Sequence, residues 1–286
     1  MTHPRRLGAI VVIAALAVLI ASAPAAAQAA RTALKAATVD VTRATGQVEV
    51  QRKGQGAWSR ATAGTKLGEG DHVRALAGGS ADLAYPDGST VLLAENSRLV
   101  MTKLEYDPAT RSRNIASHLG VGKIKAEVKR AAVELIRARQ ANFHISTPVG
   151  VAAVRGTVVF IAFNPSTNQL FVAAAPSPGQ PPISAVVTLV GFGAAGAPPV
   201  AVTITGNQFT TQVGTAPPSA PQPIQSLPPA VQAGLGSASN PATASNTNLV
   251  GDIQVVSAEQ IQVIVVASPP PAPPAPPPPP PSEPRS

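Results

Sequence analysis

From Val39 onward, apolar and polar positions alternate in short runs separated by turn residues, the pattern of strands with one buried face. Val48 and Val50 alternate with Gln47, Glu49 and Gln51. The segment Gly64 to Ala75, GTKLGEGDHVRA, sets Leu67 and Val73 among three glycines that can take positive φ, and so predicts strand, turn and strand. Ala81, Leu83 and Tyr85 share one face, and Val91 with Leu93 share another. Between them Pro86 presets φ for a turn and Gly88 suits its left-handed position, predicting a hairpin or two consecutive rungs. Leu99 and Met101 follow after Asn96-Ser97. Runs of about five residues recurring roughly every nine predict an all-β fold, either a small β-sandwich or a short β-solenoid.

The stretch Gly122 to Gln140 carries two periods at once. Ile124, Ala126 and Val128 alternate with Lys123, Lys125, Glu127 and Lys129, while Ile124, Val128, Ala131, Leu135 and Ala138 approximate a helical face. The expectation is a strand to Lys129, a short helix over 130–140, and a return to strand at Asn142-Phe143. Beyond Phe163, the apolar stretches Ile183 to Val190 and Val200 to Ile204 flank Gly191 to Pro199. They predict a β extension over 176–216, following a β domain over 38–175. From Pro217 the chain turns to uncharged Pro, Ala, Ser, Gln and Asn, which reads as a loose linker running to Asn248. Ile253 to Val266 is an apolar island, and the last 18 residues hold 12 prolines, a disordered proline-rich tail of polyproline II that reaches about 55 Å at ~3.1 Å per residue.

Composition sharpens this division. The 286 residues include 31 Pro and 23 Gly but only 3 % aromatics, too few for a dense aromatic core along the whole chain. Of the 22 Lys and Arg, 19 lie between Arg31 and Arg155, and the only acids after Arg155 are Asp252, Glu259 and Glu283, so the net charge of +8 belongs to the first half. At the N-terminus Arg5 and Arg6 precede an uncharged, almost wholly apolar run from Leu7 to Ile20, and small residues follow, the pattern of a secretory signal peptide over 1–29. Cleavage is expected after Ala27 or Ala29, the alternative being an uncleaved anchor. Localisation is then periplasmic or secreted. With no cysteine, the exported chain has no disulfide framework and no thiolate site.

Three motifs in order carry a resemblance: GTKLGEGDHVRA (Gly64 to Ala75), GGSADLAYPDGSTVLLAENSRL (Gly78 to Leu99) and FHISTPVGVAAVRGTVVFIA (Phe143 to Ala162). Gly70-Asp71, Asp87-Gly88-Ser89, Thr147-Pro148 and Arg155-Gly156-Thr157 are their most specific residues, and the series resembles the FecR domain of bacterial cell-surface signalling over about Gly46 to Ala173. The resemblance implies a domain lying outside the cytoplasmic membrane. In the family's best-known members it relays a transporter signal through a membrane helix to a cytoplasmic anti-sigma segment. Only six residues precede Leu7 here, so the expectation is the exported domain without that segment.

On their chemistry, Asp71 and Asp87 are turn carboxylates that accept backbone N–H groups, with metal binding as the alternative. Arg155, between Val154 and Gly156, is expected to be a partly buried cation paired with Asp71 or with carbonyls, the alternative being an anion or peptide-terminus site. His72, His118 and His144 fall in no metal-ligand spacing and beside no nucleophile motif, and no cofactor site is expected. Gly191 to Gly196 fits G-x-G-x-x-G, but Ala197-Pro198-Pro199 blocks the helix a dinucleotide needs, leaving a turn between strands. The basic stretch from Lys103 to Arg139 reads as a solvated face or as a site for an anionic partner; nucleic acid is excluded by compartment and by the lack of stacking aromatics. The functional expectation is a non-enzymatic binding or scaffolding module of the cell envelope, its partner an envelope protein or an anionic surface polymer. The alternative is a signalling component working through a separate membrane partner.

Overall fold

A computed structural model describes residues 34–132, 135, 141–177, 185–227, 229 and 232. Every alternating run becomes a strand. In chain order these are β1 (Lys35–Ala36), β2 (Val39–Thr45), β3 (Val48–Gln51), β4 (Trp58–Arg60), β5 (Lys66–Leu67), β6 (His72–Ala75), β7 (Ser80–Ala84), β8 (Thr90–Leu93) and β9 (Ser97–Asp107). They continue as β10 (Ser112–Glu127), β11 (Ala141–Thr147), β12 (Gly150–Val154), β13 (Val158–Asn164), β14 (Gln169–Ala175), β15 (Val186–Gly191), β16 (Val200–Thr205), β17 (Gln208–Val213) and β18 (Gln222–Pro223).

The pairings resolve into two sheets that share one strand. The first runs β4-β3-β6-β9-β10-β11-β12-β15-β16, with β1 beside the far end of β9. The second runs β5-β2-β7-β8-β10-β13-β14-β17-β18. Only β10 and β11 pair in parallel among the described strands, whereas a solenoid stacks parallel rungs, so the architecture is the sandwich.

The sixteen-residue β10 changes sheet at its middle. Up to Val121 it pairs with β9, and from Gly122 it pairs with β8 and β13. Gly122 has φ +98°, and a Cβ there would lie 2.2 Å from Ser97 Oγ, so only glycine lets the chain turn this corner. The Lys123 N–H closes the corner by donating to Ser97 Oγ at 2.8 Å.

Between the sheets lies one apolar core. Leu67, Leu83 and Leu93 of the second sheet face Leu99, Met101, Ile115, Phe143 and Ile145 of the first, all essentially without solvent contact. Tyr85 packs edge-on against Phe143 at 5.3 Å and its hydroxyl lies 2.8 Å from Ser117 Oγ. Burial pushes its phenol pKa far up, against the Ser117 hydrogen bond and with the Asp87 charge, so the ring stays neutral.

The apolar stretches after Phe163 enlarge both sheets. β15 pairs with β12 and β17 with β14, and Val187, Leu189 and Ile204 join the same core. Gly191 to Gly196 forms the end of β15 and the connection to β16, as a turn between strands should. β13 and β14 are buried on both faces, since Phe160, Phe171 and Phe209 form a second cluster on the outer side of their sheet.

That second cluster corrects the expected linker. Residues after Pro217 do not leave the fold at once: Ser219 is buried, its carbonyl accepts from Thr210 Oγ1 at 2.7 Å, and Leu227 covers the cluster at 4 % exposure. The outward Phe209 and Thr211 of β17 need a cover, and this short uncharged segment supplies it. The expected signal peptide, apolar island and proline-rich tail lie outside the described residues, and the helix expected over 130–140 does so almost entirely.

Candidate functional site

The motif residues build corners. Gly70 turns at φ +91° and donates its N–H to the Met101 carbonyl at 2.7 Å; a Cβ there would strike the Lys53 side chain. Asp71, next in sequence, accepts the N–H groups of Gly68 and Lys53, both at 2.9 Å, and Arg52 Nη1 at 2.7 Å. Burial would raise its pKa, but these donors outweigh it and hold the carboxyl below the ordinary carboxylate value. The cation beside Asp71 is therefore Arg52 and not Arg155.

Asp87 sits in the β7–β8 turn with Gly88 at φ +82°. It accepts the Ser89 N–H at 3.0 Å and the Ser89 hydroxyl at 2.7 Å, and Arg113 Nη1 donates to the same carboxylate from β10. Ser89 Oγ in turn accepts the Lys129 N–H at 3.0 Å, so this turn fastens the end of β10. Arg113 was hidden in the basic stretch. Its position two residues before the core residue Ile115 is the signal that it points inward.

Thr147 and Gly150 close a hairpin of which Pro148 and Val149 are the loop: Thr147 Oγ1 accepts the Gly150 N–H at 3.2 Å. Arg155-Gly156-Thr157 is the crossing from β12 in the first sheet to β13 in the second. Gly156 has φ +67° and lies so close to Arg130 that a Cβ would stand 2.8 Å from its Cα, while Thr157 Oγ1 donates to the Ala175 carbonyl. Arg155 departs from its expected burial. Val154 and Val158 are each 1 % exposed, but the Arg155 side chain is exposed and makes no ion pair among the described residues. The reason is alternation, because Arg155 continues the outward set Val151 and Ala153 of β12.

The basic stretch is not one face. Arg113 is buried against Asp87, Lys125 is 7 % exposed and lies over the Phe160 ring on the second sheet, and Lys103 is tied to Glu105 at 2.7 Å. Among the described residues no three His, Asp or Glu gather as a metal site would require.

One broad surface open to a partner is the outward face of the first sheet. One register row crosses all nine strands: Trp58, Gln51, His72, Val100, His118, Ser146, Val151, Val190 and Ala201. From Val100 to Val190 these residues are half-buried, with small neighbours such as Ala116 and Ala153. At one margin Arg74 lies 4.0 Å over the Trp58 ring and is held by Glu49 at 2.6 Å. His118 Nδ1 lies 3.0 Å from Ser146 Oγ. Burial, then the neighbouring charge of Arg98, lowers the His118 pKa; burial and Arg155 do the same to His144. Sequence reasoning passed over this face because its residues are scattered over several strands, and those inside the motifs, such as His72, Ser146 and Val151, are not their distinctive positions.

No helix among the described residues is long and apolar enough to cross a membrane. Two crystal structures of a candidate anti-sigma factor from Parabacteroides distasonis ATCC 8503 resemble the chain at 14 % identity and a TM-score of 0.36, over 50 % of this chain and 55 % of that one. The chain thus spans about half the length of the solved structures it matches. No curated protein matches it. Residues 71–174, a segment that runs from β6 into β14 and contains the whole of the shared strand β10, match the family described as FecR protein.

Proposed function

We propose that this chain is an exported, non-enzymatic binding module of the cell envelope that docks a separate partner protein, and that it does so within an envelope signalling system. The observation that carries the reading is the outward face of the first sheet. Four polar residues of the motifs are consumed in corners, Asp71 and Asp87 by backbone N–H groups and arginines, Thr147 and Thr157 by main-chain atoms, while Arg155 is left on the outward side. A broad, half-buried, lightly charged face with Trp58 and Arg74 at its margin has the composition of a recognition surface. The signalling context rests on the FecR match, which also favours a position outside the cytoplasmic membrane.

The test is capture of partners from an envelope fraction by the wild-type chain and by Ala153→Arg, which plants a bulky charge in the middle of the face without touching the core. A partner retained by wild type and lost by the variant is the expected result. Equal capture by both would remove this face from the function. A partner that is a membrane sensor or transporter supports signalling, and a surface-structure protein supports a scaffolding role in its place.

A further inference from the structure

We propose that the outward face of the first sheet binds an acidic polypeptide segment, laid along a diagonal that runs Arg98, His118, His144 and Arg155 across β9, β10, β11 and the end of β12. This rests on the reading of that face as a docking surface and names the chemistry of what docks.

The diagonal follows from register. Arg98 pairs with Val121 and His118 with Val100 across β9 and β10; Ala116 pairs with His144 across β10 and β11, and His144 with Ala153, two residues before Arg155. Each member is therefore a near neighbour of the next on the same side of the sheet. With strands about 4.8 Å apart and about 3.4 Å of rise per residue, the line is roughly 25 Å long, which some eight residues of extended chain would cover.

Charge complementarity selects the ligand. Elsewhere on this face Arg74 is matched by Glu49 and Lys103 by Glu105 and Glu69, and Arg60 stands apart on β4 at the far margin. Arg98 and Arg155 are exposed and make no ion pair among the described residues, and the register neighbours of Arg98, His118 and His144 include no carboxylate. Gly120 leaves the space in which the Arg98 guanidinium lies flat, since a Cβ there would meet Nη2 at 3.2 Å. Beside Arg98 opens a cleft of about 440 Å³ whose lining includes Leu76 and Pro165. Two exposed guanidinium forks at the ends of the line suit carboxylates. The floor between them, Ala116, Val151 and Ala153, is apolar and half-buried. Side chains of a polypeptide can bury against such a floor, whereas sugar hydroxyls would lose water there without gaining a donor.

The experiment uses the purified chain and a fluorescent eight-residue peptide of alternating Glu and Leu, with polygalacturonate as the carbohydrate arm. Anisotropy at low salt should show peptide binding that Arg98→Glu with Arg155→Glu weakens at least tenfold. Arg60→Glu, an exposed cation on β4 away from the diagonal, should change it less than twofold. The imidazole resonances of His118 and His144 should shift as peptide is added, and those of His72 should not. Absence of peptide binding, equal weakening by Arg60→Glu, or polygalacturonate binding as tight as the peptide overturns the proposal. If the envelope partner is still captured in an Ala153-dependent way while the peptide fails to bind, the docking face stands and its acidic ligand falls.

Discussion

Asp87 and Arg113, 26 residues apart in sequence, form an ion pair whose side chains are only 4 % and 3 % exposed. It joins the β7–β8 turn to the start of β10, and the Arg113 guanidinium also lies 5.7 Å from the centre of the Phe143 ring. Breaking a buried pair strands one charge without water, so Arg113→Ala should cost about 3 to 5 kcal/mol. Arg155→Ala, on the solvent side of β12, should change stability by less than about 0.5 kcal/mol. Urea unfolding of the two variants checks both, and equal effects would contradict the burial assigned to each.

The corner at Gly122 makes a second comparison. Gly122→Ala forces a Cβ into Ser97 and removes the bend by which β10 serves both sheets. Gly64→Ala also strains a positive φ but meets nothing within 4 Å, so it should cost only about 1 kcal/mol. We expect the Gly122 variant to be the less stable by several kcal/mol or to be recovered unfolded, as read by circular dichroism and thermal melting.

Truncation tests where the fold ends. A chain cut after Ala216 loses Ser219 and Leu227 from the outer cluster and uncovers Phe209, which should cost at least about 2 kcal/mol. A cut after Gln232 keeps every described contact, including the Gln232 amide on the Leu227 carbonyl, and should melt close to the intact chain.

The pH dependence of stability has a definite sign. His118 and His144 titrate below the ordinary 6.5 because burial, and then Arg98 and Arg155, disfavour the charged imidazole. The unfolded chain binds protons that the fold refuses, so this contribution is complete above about pH 6.5 and declines as the pH falls through that value. The Asp71 contribution is retained to lower pH, being present above the ordinary 3.8 and lost as the pH falls through the depressed folded value. The urea midpoint should therefore drop between pH 7 and pH 5.5, and His118→Gln with His144→Gln should flatten that slope.

Much of this fold was legible where the chain alternates. Val48 and Val50, Leu67 and Val73, Leu83 and Val91 face the core as their spacing indicates, and Gly70-Asp71 and Asp87-Gly88 make their turns with their own side chains. Other features are set by partners far away in sequence. Nothing local marks Gly122 as a sheet crossing rather than an ordinary turn, because the obstacle is Ser97. Arg155 looked enclosed because Val154 and Gly156 flank it, although the period of two puts it outside. The outward face has no motif of its own; it exists only when β9 to β12 are brought side by side.

The central claim, that this face is where a partner docks, is tested most directly by photo-crosslinking in intact cells from a reactive residue at Ala153, beside one placed at Ser166 in the exposed β13–β14 turn. A discrete adduct is expected from position 153 that disappears with Arg98→Glu and Arg155→Glu, and none from position 166. An adduct from 166 alone, or no adduct from 153 in cells where the chain is folded and abundant, would contradict it.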